Sequence, residues 1–500
     1  MPRKSPFCIT QPITRPQEFF GRHGELYKFW EMLKADGLRC GYVWGARRSG
    51  KTSYLRMITN PDLAAEQLGT DAARSLLMVY VDCSHERISD PNALHTHIRS
   101  SIMQSRQIAD GAGIDTATEA LIRFEDWILA ISREWRTVIV LDEIHSLLHR
   151  PGFDKSFFRG LRAVLEEAGG RLAMVTASHI PMLAMQERID RQVRPMEEDS
   201  HLFNVFTWDA TIGPLSARDA RDAVVRPLDT CDIRISDDDL DTISRVSGRL
   251  PYIVNCVAER WLQMDAPVPL DQGVAAKIVD DLLHPAKGHL LLPLKSMFQS
   301  LSREQRLALE GCVRDDAAGC PVGVLEDCMK LGLLEKTEER FGPSGTIMDR
   351  AARELVGPMN TLKVFLTHSS HNNMWREVQD RLLSLRTRTV EVVEFNSDLP
   401  YGQSAFQRIE EAAEGVNLAV ILMTRDNDAG DPRLNVVHET GYFQGKLGRE
   451  RTLLLIEKGV TRDLSNIHGL QGFEFDRNDR HNDIHTALDK LEAVINGWNC

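Results

Sequence analysis

Eight residues from Gly45 to Thr52, Gly-Ala-Arg-Arg-Ser-Gly-Lys-Thr, have the spacing G-x-x-x-x-G-K-[ST] of a phosphate-cradling loop. An apolar run, Gly41–Trp44, precedes them, and a helical pattern, Ser53–Ile58, follows. Gly45 and Gly50 let the backbone wrap a polyphosphate, and successive N–H groups, Ser49 among them, face its charge with the helix N-terminus behind. Lys51 would reach the β- and γ-phosphates, and Thr52 would ligate magnesium. Further on, Thr137-Val-Ile-Val-Leu-Asp142-Glu143 is an apolar strand ending in two acids. There Asp142 can hold the magnesium and Glu143 can polarise an attacking water. A third strand, Leu172–Thr176, ends in hydroxyls. Thr176 and Ser178 either bind the γ-phosphate and its water or cap a helix. His179, next in the chain, reads as a surface loop residue.

These groups need a scaffold. Strand-like runs alternate with helical stretches in two separate blocks, the signature of parallel sheets covered by helices. The first block holds Gly41–Trp44, Leu76–Asp82, Thr137–Asp142, Leu172–Thr176 and Val205–Ile212; the second holds Lys363–Thr367, Val390–Phe395, Leu418–Met423 and Thr452–Glu457. Between them strands nearly vanish. Ala217–Val224, Asp237–Val246, Tyr252–Met264 and Val274–Leu283 read as packed helices, and residues 302–348 read as helices with a hairpin. That hairpin has the outline of a winged helix, with a helix ending at Gly332 and a wing turning at Gly342-Pro343-Ser344-Gly345.

Five hundred residues exceed one core. A net charge of −12 counts against a protein that coats nucleic acid generally. Nine scattered cysteines with no C-x-x-C pair fit reduced thiols in a cytoplasm. The N-terminus shows no signal peptide, and no apolar run reaches spanning length. A cytoplasmic protein away from membranes is expected.

Glu18-Phe-Phe-Gly-Arg22-His-Gly-Glu-Leu26 resembles the signature that precedes the phosphate loop in STAND and related AAA-type ATPases. Ser247-Gly-Arg-Leu-Pro251-Tyr-Ile-Val254 resembles their lid motif. The resemblance covers residues 16 to 357. It implies that Arg22 lies near the adenine, that Pro251 touches the base, and that the chain switches from a closed ADP form to an ATP form that opens or oligomerises. Arg159, Arg162, Arg191 and Arg194 are the candidates for an arginine finger.

The C-terminal block resembles bacterial TIR-like, "predicted nucleotide-binding" domains. Leu362–Ser370 and above all Asn435-Val-Val-His-Glu-Thr-Gly-Tyr-Phe-Gln-Gly-Lys-Leu-Gly-Arg449 carry the likeness. Gly441 and Gly445 in that run permit close approach of a ligand or neighbouring element. The resemblance implies cleavage of the nicotinamide–ribose bond of NAD+. The leaving group departs neutral, so the site needs a carboxylate near the anomeric carbon rather than a general acid. Glu439 is that carboxylate by position. Thr367, His368, Ser369, Tyr401, Gly402 and Asn435 are expected to bind NAD+, with Asp426 and Asp428 at the same edge. Thr-Arg-Asp-Asn-Asp at 424–428 departs from the family's T-P-D-D, and Pro-Arg-Leu-Asn at 432–435 from its R-x-R-Q-N, which puts substrate orientation in question.

The expected fold class is a multidomain α/β chain: a P-loop parallel-sheet ATPase with helical lid and winged helix, then a flavodoxin-like TIR-type sheet. The expected divisions are a tail at 1–15, the ATPase core at 16–213, the lid at 214–290, the winged helix at 291–357 and the TIR-like domain at 361–497. Together they read as an ATP- and Mg2+-regulated NAD+-cleaving effector of anti-phage immunity that works as a homo-oligomer. No repeat-rich sensor is expected after Gly497, so a trigger is expected through a partner protein, the winged helix or another surface that the sequence does not identify. Two alternatives stay open. One is a DNA-loading ATPase with a non-catalytic adaptor. The other is a TIR-like domain that senses or makes a nucleotide signal.

Overall fold

The structure, a computed structural model, describes the chain except for residues 1–4, 8, 36, 105–122, 191–201, 265–267, 315–316, 318–319, 338–339, 369–373, 386–388, 395–408, 411, 414, 426–433, 461–470, 480–482 and 498–500. The chain forms two compact units, Met1–Arg353 and Glu354–Cys500. It is an α/β multidomain protein.

In the first unit five strands form one parallel sheet: β1 (Cys40–Trp44), β2 (Leu76–Asp82), β3 (Arg136–Asp142), β4 (Leu172–Ser178) and β5 (Phe206–Thr211). Their order is β2-β3-β4-β1-β5. β3 and β4 are nearly continuous buried runs because helices cover both faces of the sheet. The carboxyl ends of β1, β3 and β4 therefore come side by side, with Tyr42 and Leu141 both opposite Thr176. This juxtaposition makes one site from three distant stretches of chain.

Helices Ala217–Asp229, Asp237–Ser247, Pro251–Leu262 and Gln272–Leu283 follow. Ser216, Ser236 and Asp271 cap three of them by accepting amides of the first turn. Beyond helix Val322–Lys330, β6 (Leu334–Lys336) and β7 (Phe341–Pro343) form an antiparallel hairpin. The composition places the wing turn at 342–345. The hairpin instead closes at Thr337–Arg340, where the Thr337 amide donates to the Arg340 carbonyl at 2.9 Å. Gly342 and Pro343 lie in β7, and Gly345 opens the helix Gly345–Asn360. A proline is tolerated there because a two-stranded sheet has only edges.

The second unit is another five-stranded parallel sheet: β8 (Thr361–His368), β9 (Thr389–Glu394), β10 (Leu418–Met423), β11 (Thr452–Glu457) and β12 (Gln471–Phe475), ordered β12-β11-β10-β8-β9. Separate apolar clusters pack on it, one around Leu366, Leu418, Val420, Leu422 and Leu488, another around Phe365, Ala419 and Phe443. Leu418, Val420 and Leu422 of β10 feed the first cluster, Ala419 the second, and Ile421 and Met423 a third with Val436 and Leu454, so successive residues alternate faces as a strand covered on both sides requires. The chain reverses its direction of strand addition between β8 and β10, which is where open α/β sheets bind ligands.

Candidate functional site

In the first unit, Gly45 follows β1 so tightly that a Cβ there would collide with the Ile212 carbonyl oxygen. Gly50, at φ 98°, turns the chain into helix Lys51–Ile58. Lys51 is buried, and its Nζ donates to the carbonyls of Gly45 and Ala46, each at 3.0 Å. Burial pushes its pKa down, against the opposing pull of Glu143 and Asp142.

Asp142, at the end of β3, is 1% exposed and fully engaged. Its Oδ2 accepts from the Thr52 hydroxyl at 2.7 Å and the Tyr80 phenol at 2.9 Å, and its Oδ1 from the Glu143 amide at 2.9 Å. Burial, then the Asp142 charge, push the Tyr80 phenol far up, so it acts as a donor. Glu143 adopts φ 52°, and burial raises its pKa. Its Oε2 lies 3.3 Å from His145 Nε2. Two buried hydroxyls near these strands, Ser49 Oγ and Thr176 Oγ1, have no hydrogen-bond partner among the described residues. Buried polar atoms are nearly always paired, so the Ser49 orphan, beside the cavity that Arg22 lines, suits a polar ligand.

Arg22 is buried at φ 61°. Its guanidinium donates to the Gly213 carbonyl, and to those of Ser49 and Pro214 at 3.3 Å each, tying the phosphate loop to the segment after β5. Arg22 lines a cavity of about 680 Å3 with Phe7, Phe19, Phe20, Leu215 and Pro251. A second, more polar cavity of about 600 Å3 is lined by Lys51, Thr52, Asp142, Glu143, Arg47 and, again, Pro251. An apolar recess thus adjoins a recess with cationic and carboxylate groups, a division that suits a base on one side and phosphates on the other.

In the second unit Thr367, near the end of β8, donates its hydroxyl to Glu439 Oε2. Glu439 lies on helix Leu434–Leu447 and is 7% exposed. Burial raises its pKa, opposed by the Thr367 hydrogen bond and then by His438. The Phe365 and Phe443 rings, 4.5 Å apart, pin this helix to β8. His368 stacks on Trp375 at 4.8 Å. The carboxylate therefore sits at the sheet's switch point.

Residues 35–181 match the AAA domain family, and residues 363–477 match the family described as CAP12/Pycsar effector protein, TIR domain. The chain joins an AAA-type ATPase domain to a CAP12/Pycsar-type TIR domain. Protein tirC of Dictyostelium discoideum is 30% identical over 113 residues, covering 20% of this chain and 54% of that protein. The uncharacterized protein YuaY of Escherichia coli K12 is 33% identical over 125 residues, covering 23% and 40%. The chain thus spans about half or less of the curated relatives it matches. Among solved structures, the Walker-type ATPase PABY2304 of Pyrococcus abyssi aligns with TM-score 0.48 and 14% identity over 69% of this chain and 99% of that one. The Thermotoga maritima RuvB Holliday junction branch migration motor aligns with TM-score 0.34 and 13% identity over 69% and 97%.

The ATPase domain brings Gly45, Ser49, Gly50, Lys51, Thr52, Asp142 and Glu143 to one sheet edge. Thr176 is inside the sheet on β4. Ser178 accepts the Ile180 amide at 3.0 Å, ahead of the helix Met182–Asp190. Of the arginine-finger candidates, Arg159 and Arg162 lie on helix Lys155–Glu167, Arg162 pairing with Glu166 at 2.8 Å; Arg191 and Arg194 lie outside the described residues. No sequence signal points to Tyr80, whose role depends on β2 lying beside β3.

In the TIR domain, Thr367 and Glu439 meet, and His368 is adjacent. Ser369, Tyr401, Gly402, Asp426 and Asp428 lie outside the described residues, as does the Asn435 side chain. A Cβ at Gly441 or Gly445 would meet nothing within 4 Å among the described residues. No helix of the described residues is long and apolar enough to cross a membrane.

Proposed function

We propose that the chain is an ATP-regulated effector of anti-phage defence whose TIR domain cleaves NAD+. Three points support this reading: the match to the CAP12/Pycsar TIR family, the N-V-V-H-E-T-G motif, and above all the buried Thr367–Glu439 pair at the switch point of a parallel sheet. Cleavage breaks the bond between the ribose anomeric carbon and the nicotinamide nitrogen. The electron pair leaves with nicotinamide, which becomes neutral. Glu439 stabilises the positive charge left on the ribose, and Thr367 holds the carboxylate in place. Water then adds to the anomeric carbon and releases a proton, giving ADP-ribose.

In the ATPase domain, the amides of residues 45–52 and Lys51 would bind the phosphates of ATP, and Glu143 would orient the attacking water. Thr52 and Asp142 fit a magnesium site, because a hydroxyl and a carboxylate already meet at 2.7 Å. A magnesium ion there offsets phosphate charge. The base would enter the recess of Phe19, Phe20, Arg22 and Pro251. ATP binding would assemble subunits and so bring TIR domains together.

The test is nicotinamide release from NAD+ by the full chain, with and without Mg·ATP, across a protein concentration series. Release should rise more steeply than protein concentration, depend on ATP, and vanish in Glu439→Gln. Lys51→Ala should remove ATP binding and the ATP dependence. Release that persists in Glu439→Gln would move catalysis elsewhere.

A further inference from the structure

Beside the phosphate loop lies a constellation that ATP hydrolysis, as proposed, leaves largely unused. Glu143, His145 and His179 each offer a ligand atom, one carboxylate oxygen and two imidazole nitrogens, all within 4.8 Å of one another. The two rings stand edge to face, with centroids 4.1 Å apart. His145 Nδ1 lies 3.2 Å from Ser178 Oγ, and the Ile180 amide anchors that hydroxyl. One ring nitrogen is thus held, which aims the other, Nε2, at Glu143. A third observation is independent of the first two: His179 Nδ1 is buried and has no hydrogen-bond partner among the described residues. The sequence suggests a surface loop for His179, but the end of β4 tucks it against His145.

We propose that Glu143, His145 and His179 form a binding site for a transition-metal dication of the zinc class, separate from the magnesium position at Thr52 and Asp142. Two imidazoles and a carboxylate with open positions are a donor set that zinc accepts, whereas magnesium takes oxygen ligands. With metal–ligand distances of about 2.0–2.2 Å, tetrahedral ligands lie roughly 3.3–3.5 Å apart. The Glu143–His145 pair already meets that spacing at 3.3 Å. The widest pair must close by about 1.5 Å, within reach of side-chain rotation. Arg47, Lys51 and Arg188 lie near both imidazole rings. The same cations oppose a dication, so nucleotide phosphates that neutralise Arg47 and Lys51 should strengthen metal binding.

The consequence for catalysis rests on the hydrolytic role given to Glu143 above. A carboxylate that ligates the metal is no longer directed at water, so occupancy inhibits ATP hydrolysis.

The experiment titrates metal-free full-chain protein with Co2+ alone, followed by visible absorption, then displaces it with Zn2+. His145→Ala and His179→Ala run alongside, with far-UV circular dichroism and Mg·ATP binding as controls for folding. The expected result is one Co2+ per chain with nitrogen- and oxygen-type absorption, weakened about tenfold or more in either variant. His179→Ala should keep Mg·ATP binding. Equal Co2+ binding in wild type and variants, thiolate-type absorption from the cysteines, or no binding would each overturn the site. If His145→Ala does not fold, His179→Ala and His179→Gln carry the test. The binding readout does not depend on ATP turnover, so failure of the hydrolytic reading leaves it standing. Zn2+ inhibition that persists in His179→Ala would refute only the catalytic consequence.

Discussion

Tyr80→Phe removes one oxygen and nothing else from the ATPase site. The ring stays packed between its β2 neighbours and the Arg56 guanidinium, which lies 3.6 Å from the ring centroid. Only the 2.9 Å hydrogen bond to Asp142 Oδ2 is lost. Three donors hold this carboxylate, from Thr52, Tyr80 and the Glu143 amide. If magnesium occupied this position, the Thr52 hydroxyl would be shared between the ion and Asp142, and Tyr80 would be the side-chain donor directed at Asp142 alone. A hydrogen bond to a charged group contributes about 1.5–3 kcal/mol. If its loss is felt mainly in the magnesium-bound state, Mg·ATP affinity should fall about ten- to a hundredfold, at ~1.4 kcal/mol per tenfold. The assay is equilibrium titration with ATP in magnesium and again in EDTA. Affinity in EDTA should match wild type, because without the ion Thr52 still orients Asp142. An equal loss in both conditions would show a general distortion of the site. No loss in magnesium would refute the assignment of Asp142 as an ion-holding group positioned by Tyr80.

Three further outcomes are expected. Gly41→Ala drives a Cβ into the Trp208 ring, so overpacking should cost about 1–3 kcal/mol and lower the melting temperature of the N-terminal unit; Trp208→Ala in the same chain should recover part of it, and failure to recover would show that another contact is responsible. Arg22→Met leaves the carbonyls of Gly213, Pro214 and Ser49 without their buried donor, at about 2–3 kcal/mol in urea unfolding of that unit, and an unchanged midpoint would remove Arg22 as the tie between these segments. Glu439 has a folded pKa raised by burial, so its neutral form favours the fold and the stability it contributes at low pH is lost as pH rises through that pKa. Glu439→Gln should therefore melt at or above wild type at neutral pH, with the difference shrinking in acid. The acid limb of nicotinamide release should lie above the ordinary glutamate value of about 4.3. A limb at or below that value would mean that Glu439 is not the titrating group.

Nine of the ten strands in the two large sheets are legible from apolar runs; the interior strands β3, β4, β10 and β11 are the clearest, because a strand covered on both faces is almost continuously apolar. β12 is not. It is an edge strand, Gln-Gly-Phe-Glu-Phe, with three exposed positions, so its pattern resembles a polar loop. The wing turn is misplaced by composition because Gly-Pro-Ser-Gly has turn character even when Gly and Pro sit in an edge strand. Lid helices are clear from their caps and periodicity.

The sequence alone determined the phosphate loop, the two acids ending β3 and the motif around Glu439, because each is contiguous and its chemistry depends on residues close in the chain. Tertiary structure decided which distant groups complete them. Tyr80 reaches Asp142 only because β2 pairs in parallel with β3. His179 meets His145 because β4 lies beside β3, and Thr367 meets Glu439 because the helix after β10 packs back over β8. Tyr80 and Asp142 are 62 residues apart, Thr367 and Glu439 72, and no local periodicity encodes such pairs. Strand order sets the pairing, and strand order follows from burying two apolar faces at once, which is a property of the whole chain.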